Sequence, residues 1–434
     1  MTLFLLAACN SYEVFRVTGF EQSSFSNDAD ILFVIDNSSS MEEETSALAL
    51  NIEAFINKLT SAEGANVPRA TLTDAVGNYL RETSGETLFI DYQLAITTTT
   101  TDINADGVGN QLDPGEAGLF IGDVIQRSDE DPAGTFRQQM LCNATCWNEM
   151  ELASDPDAGC DVGDEVTIEY LDCICGVDAW KDHCGGGDEE GIEAATLAIC
   201  RAMEPPLPDS CLEYVGEGSN DPVPTVLGDG YDDPNEGFLR EGATTVVVIV
   251  TDEGDGSPRV ATGDPDVEPY VDIYEDDFEN PVRFAVMGPA WDGTDGSCLE
   301  GAQPWAVERY QNVAAESFGM YAPLTDIESG CTPIDISTNL ESIGELLSTL
   351  MTLFPLQQTP DAASIEVWVD DEEVGAAELL SGSPLTGDAE YGTGWTYNAA
   401  FNAVQFHGEA VPDYNSDVRI YYVPLGGTPR EIPF

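Results

Sequence analysis

The sequence predicts an α/β domain on a doubly wound, mostly parallel sheet, carrying disulfide-rich insertions and followed by a small all-β domain. Three observations lead there. The runs ILFVID (31–36), TTVVVIVTD (244–252) and PVRFAVMG (281–288) are nearly continuous in apolar residues, as expected of strands buried on both faces. Segments with apolar residues at helical spacing alternate with them, and that alternation implies a parallel sheet covered on both sides. After Pro355 the period falls to two and no helix follows, which marks an antiparallel unit.

The elements follow in chain order. Residues 10–28 are polar with scattered aromatics and read as a tether. The strand over 31–36 leads into a helix over 42–59, where Leu48, Ile52, Phe55, Ile56 and Leu59 recur on one face. DYQLAITTTT (91–100) is a β-branched strand, and helical patterns occupy 189–203, 303–318 and 338–353. Two insertions interrupt this plan. Residues 101–186 hold a Gly- and Asp-rich loop and then most of the cysteines; residues 205–240 are rich in Pro, Gly and Asp. Loops this long are uncommon in a compact domain unless functional or stapled. The α/β domain is expected over 29–355. After the linker QQTPDAAS (357–364), a sandwich-type β domain is expected over 361–434.

Charge narrows the function classes. Among 434 residues, 81 are acidic and 14 basic, for a formal net charge of −67. Such a surface repels phosphate backbones and anionic headgroups, which sets nucleic-acid binding aside, and it calls for counter-cations. Near the start, Leu6-Ala7-Ala8-Cys9 resembles the lipobox at which a bacterial lipoprotein leader is cut before a cysteine that then carries lipid. The apolar run before Cys9 is short and lacks basic residues, so either the leader begins upstream of Met1 or the match is accidental. Asn10 stands where an aspartate would signal inner-membrane retention, which favours the outer membrane. No later segment reaches the roughly 18 apolar residues of a membrane span. With Cys9 set apart, ten cysteines remain, eight of them between 142 and 211. An even number in an exported chain reads as disulfides. The competing reading is a zinc site from Cys142, Cys146, Cys173, Cys175, His183 and Cys184, whose spacings fit no common zinc module.

The stretch DNSSSM (36–41) carries the main chemical signal. Asp36, Ser38 and Ser40 form D-x-S-x-S at the carboxyl end of a predicted parallel strand, where open α/β sheets bind ligands. Oxygens at alternate positions of one loop can converge on a hard cation, with two neutral hydroxyls and a carboxylate that can hold a metal-bound water. Asp252, at the end of a second buried strand, is placed to close the same site.

DNSSSM, together with the strand-ending Thr251-Asp252, resembles a von Willebrand factor A domain with its metal-ion-dependent adhesion site. The likeness spans about 28 to 355 apart from the insertions. NEGFLREGATTVVVIVTDEGD further resembles large, cysteine-containing lipoproteins of myxobacterial type that carry this domain. The resemblance implies a Rossmann-like fold, a bound Mg2+ or Ca2+, and a protein ligand that completes the ion's shell with a carboxylate. One element departs from the pattern. The loop that usually supplies a threonine reads GGGDEEGIEAATLAI (185–199) and holds none before its helix. Asp188 takes the expected place by spacing, whereas Glu190-Gly191 resembles integrin β-type domains, in which a glutamate coordinates. Either adds a carboxylate, which tightens the ion and makes it a weaker acceptor for an acidic ligand. Both residues also suit a helix N-terminus through its dipole.

A second cation loop is expected in DINADGVGNQLD (102–113), which follows the EF-hand pattern with aspartate in the last place. Asp102, Asn104 and Asp106 would be ligands, Gly107 the turn, the Val108 carbonyl and Asn110 the next two contributors, and Asp113 the last. Pro114-Gly115 follows at once, so the loop lacks the exiting helix and is closer to extracellular calcium loops. Signatures of serine hydrolases, zinc proteases and phosphate-binding loops are missing from the sequence, and no general base is evident. The expectation is therefore a non-enzymatic, lipid-anchored envelope protein that binds a protein ligand through a cation; the rival is a scaffold in which the ions only stabilise the fold.

Overall fold

A computed structural model describes residues 20–24, 28–60, 90–101, 115–212 and 235–425, except 151, 156–158, 161, 162, 164, 182, 185–188, 205, 279–281, 294–297, 300, 301, 357, 383–388, 400, 401 and 413–415. The chain divides into two compact units, Ser26–Met351 and Met1–Phe25 with Thr352–Phe434. Strand β1 (Phe20–Ser24) belongs to the smaller one.

The larger unit is built on six strands: β2 (Asp28–Ile35), β3 (Asp91–Thr98), β4 (Ile125–Gln126), β5 (Thr244–Val250), β6 (Val282–Gly288) and β7 (Met320–Pro323). They lie in the order β4-β3-β2-β5-β6-β7. All neighbours are parallel except the short edge strand β4, which runs antiparallel to β3. The helices are α1 (Glu42–Thr60), α2 (Pro132–Asn143), α3 (Ile168–Cys175), α4 (Gly191–Ala202), α5 (Asp209–Leu212), α6 (Glu268–Asp276), α7 (Pro304–Glu316) and α8 (Ile336–Met351). A small hairpin, β8 (Thr325–Asp326) with β9 (Thr332–Pro333), stands between α7 and α8.

Residues alternate across a strand, so the two faces of β2 have different company. Leu32 and Val34, with Val247 and Ile249, pack against Ile192, Ala195 and Ile199 of α4 and Tyr310 and Val313 of α7. Phe33 faces the other way, with ring centroids 6.3 Å from Phe55 of α1 and 4.7 Å from Phe136 of α2. Both faces are therefore covered, which is why β2 and β5 read as unbroken apolar runs.

The insertion over 101–186 holds more order than the sequence suggested. Asp131 caps α2 by accepting from Gly134 N at 2.9 Å, and Pro132 occupies its first turn. Thr167 caps α3 through Tyr170 N at 3.2 Å. Ala133, Phe136 and Met140 are spaced as one buried helical stripe that Gly134, Thr135 and the glutamines obscure in the sequence. Disulfides Cys142–Cys175, Cys146–Cys184 and Cys160–Cys173 staple this region; Cys200–Cys211 joins α4 to α5, and Cys298–Cys331 closes a later loop. The ten cysteines after Cys9 are all paired, so the zinc alternative has no free thiolates to draw on.

The smaller unit contains β10 (Leu353–Pro355), β11 (Glu366–Val369), β12 (Glu372–Val374), β13 (Leu379–Ser381), β14 (Glu390–Tyr391), β15 (Gly394–Asn398), β16 (Ala403–His407) and β17 (Asp417–Tyr421). Sheets β1-β17-β11-β12 and β10-β16-β15 close over one core that includes Phe354, Val367, Trp395, Val404, Phe406 and Ile420. Two expected boundaries move. Residues 20–24, read as tether, pair with β17 from Phe20↔Tyr421 to Ser24↔Asp417. The unit also begins at Thr352 rather than 361, because β10 pairs with β16. Residues 20–24 have a single apolar side chain, and β10 is only three residues long, so neither declares a strand alone. Among the described residues, no helix is long and apolar enough to cross a membrane.

Candidate metal centre

The chain leaves β2 toward β3 on one side and leaves β5 toward β6 on the other. The crevice between the carboxyl ends of β2 and β5 is thus the point where the winding of the sheet reverses, the general ligand position of open α/β sheets. Asp36 and Asp252 stand there, one after each strand.

The residues of D-x-S-x-S converge on this crevice. Asp36 is fully buried, and its backbone N–H donates to Val250 O at 2.9 Å. One carboxylate oxygen accepts from Ser38 N at 2.8 Å and the other from the Thr251 hydroxyl at 2.7 Å. The hydroxyls of Ser38 and Ser40 lie 2.9 Å apart, and Ser40 donates to Asp252 at 3.2 Å. Of the intervening residues, Asn37 accepts from Thr100 at 2.8 Å, and Ser39 is exposed, as Ser40 is. Ser38 precedes the first helical turn but makes no side-chain capping bond. A plain cap does not account for the serines. Met41, just beyond them, accepts the Asp252 N–H on its sulfur at 3.1 Å and so ties the two strand ends together.

The glutamates of 185–191 separate. Asp188 lies outside the described residues. Glu190 is turned toward β3: its carboxylate is hydrogen-bonded by the Thr101 hydroxyl, and its N–H donates to Thr99 O at 3.1 Å. Glu189, which the sequence reading passed over, is 3 % exposed, and no donor among the described residues reaches its Oε1. Its company is acidic. The neighbouring carboxyls of Asp36 and Glu253 both disfavour its charged form. The only sequence signal was the doubled Glu before Gly191, which a helix-dipole reading absorbs.

Burial raises the pKa of all three inner carboxyls. Asp36 is pushed up by desolvation against the hydrogen bonds of Thr251 and Ser38. Asp252 rises to about 7 by desolvation and repulsion from Asp36. Glu189 is driven well above the usual carboxylate range by desolvation, by Asp36 and by Glu253. Among the described residues, no lysine or arginine pairs with any of them. Uncompensated buried carboxylates are costly, so each is expected to hold a proton or face a cation. No three His, Cys, Asp or Glu side chains among the described residues are grouped to hold a metal by themselves; this crevice draws two of its oxygens from serine. Hard oxygen donors of mixed charge suit Mg2+ or Ca2+.

The other anticipated sites, the loop Asp102, Asn104, Asp106, Val108, Asn110 and Asp113 and the lipidation residue Cys9, lie outside the described residues. No family model matches the chain, and no curated protein matches it.

Proposed function

We propose that this protein has a von Willebrand factor A-type domain and is a cell-envelope lipoprotein. In this reading it binds a protein ligand through a divalent cation, Mg2+ or Ca2+, held by Asp36, Ser38, Ser40 and Asp252. Glu189 adds a further carboxylate from the start of α4, and Glu190 braces that loop against β3. The observation that carries the reading is the set of buried carboxylates at the winding reversal, with no basic partner among the described residues, joined to the hydroxyls of Ser38 and Ser40, of which Ser38 makes no side-chain cap bond and Ser40 reaches Asp252. A ligand carboxylate from a protein partner would complete the ion's shell. Calcium at 102–113 and a lipid on Cys9 belong to the same proposal, and the five disulfides fit an oxidising compartment.

Pull-down from native envelopes with magnesium against chelator tests it. A partner retained only with magnesium, and lost with Asp36→Ala, is the expected result; capture indifferent to both conditions defeats the reading. The extra charge of Glu189 favours a second reading, a scaffold whose ion only locks the loops. Metal-dependent melting with no metal-dependent partner selects it.

A further inference from the structure

Arg309, on α7, is 1 % exposed. Its guanidinium spends its donors on a single loop. Nε donates to Asp264 O at 2.8 Å, Nη1 to Ser257 O at 2.8 Å and Asp255 O at 3.4 Å, and Nη2 to Ala261 O at 2.9 Å and Val260 O at 3.1 Å. The Asp255 carboxylate is 3.6 Å away, and the Trp305 ring covers the group at 4.8 Å. The loop over 255–264 thus wraps around a side-chain cation much as a carbonyl cage wraps around an ion.

That loop connects the two acidic arms of the crevice. On one side it continues directly from Asp252 and Glu253. On the other it caps α4, which has no side-chain cap of its own. Asp255 accepts from Ile192 N at 3.2 Å, Ser257 accepts from Glu193 N at 2.9 Å, and Gly256 N donates to Glu189 O at 2.6 Å. Ser257 and Asp255 are themselves joined at 2.7 Å. The β5 arm and the Glu189 arm are therefore registered to each other through a segment that the Arg309 guanidinium gathers, with the Arg259–Glu193 pair as a second tie to α4.

We propose that Arg309 is the positioning residue of the strand-end centre: it sets where Asp252 and Glu189 stand, and so tunes the centre's affinity for a divalent ion, although its own hydrogen bonds go to the carbonyls of the loop and not to those two carboxylates. This rests on the metal-binding reading above. Lysine restores the charge but not the planar fork that five carbonyls require.

The test is calorimetric titration of Mg2+ into the full chain carrying Asp102→Ala and Asp106→Ala, which leaves the strand-end centre as the site observed. Arg309→Met, Arg309→Lys and Val313→Ala are compared; Val313 is buried on the same helix and faces the sheet. Arg309→Met is expected to weaken magnesium binding by about 10- to 100-fold. Arg309→Lys should recover part of it, and Val313→Ala should keep the parental affinity despite a lowered melting temperature. Parental affinity in Arg309→Met, or an equal loss in Val313→Ala, overturns the role of Arg309 and leaves the metal site standing. A parental chain that binds no magnesium overturns both.

Discussion

Thr251 donates its hydroxyl to Asp36 across the seam between β2 and β5, at 2.7 Å. The bond follows from register: Ile35 lies opposite Val250, so the next residues of both strands emerge side by side. Asp36 is thereby held by a neighbouring strand as well as by its own turn, and the two hydrogen bonds fix the direction of its carboxylate.

Asp36→Ala should remove a metal response without unfolding the sheet, because the burial of β2 comes from Ile31 to Ile35. Metal at about 100 times its dissociation constant stabilises a one-site protein by about 2.7 kcal/mol. Thermal melting with magnesium or chelator, in chains carrying Asp102→Ala and Asp106→Ala, should show that increment with Asp36 intact and not with Asp36→Ala. Equal shifts in both would assign the response elsewhere.

Glu189→Gln is expected to stabilise the chelated protein and weaken its magnesium affinity. The amide removes an acidic group that burial, Asp36 and Glu253 all disfavour in its charged form, and it can donate to a neighbouring carboxyl. A gain of about 1 kcal/mol corresponds to roughly 1–2 °C in melting temperature for a unit of this size. Glu190→Gln, whose acceptor oxygen serves Thr101, should not raise the melting point. Melting curves and titrations of the two variants separate these roles; a destabilised Glu189→Gln with unchanged affinity would exclude Glu189 from the centre.

Acid should stabilise the chelated protein. Burial raises Asp30 to about 6 despite its bonds to Arg240, and Asp255 to about 6 despite Ser257 and Arg309. Both carboxyls bind their protons more tightly folded than unfolded. Their contribution is fully present below about pH 4 and is lost as pH rises through about 6. Melting in chelator should be several degrees higher at about pH 5 than at about pH 7.5, and Asp30→Asn should narrow the difference. A melting point that falls on acidification contradicts the shift.

Removing the Cys142–Cys175 bridge should cost about 3–4 kcal/mol, the chain-entropy value for a closed loop of 33 residues. Denaturant unfolding of Cys142→Ser/Cys175→Ser measures it. A loss below about 1 kcal/mol would mean that α2 and α3 hold together without the bridge.

Asp102→Ala with Asp106→Ala should remove one equivalent of bound calcium, read by isothermal titration. Unchanged stoichiometry would turn the loop into a solvated acidic turn.

Much of this was legible in the chain alone. Apolar runs ending in Asp36 and Asp252, and the helical stripe of Leu48, Ile52, Phe55 and Ile56, were enough for a parallel sheet covered on both faces, because burial on both sides leaves no polar alternation in a strand. An even cysteine count predicted full pairing, but not which cysteine meets which. What only the tertiary structure decided concerns neighbours distant in sequence. The sheet order sets β2 beside β5 and so brings Asp252 to Ser40. It admits residues 20–24 to the smaller unit through β17. It turns Glu190 toward Thr101 while burying Glu189 beside Asp36 and Glu253. Sequence spacing places side chains along one element. Which carboxylate loses its water, and which finds a donor, depends on strands and loops whose approach is set by packing across the whole domain.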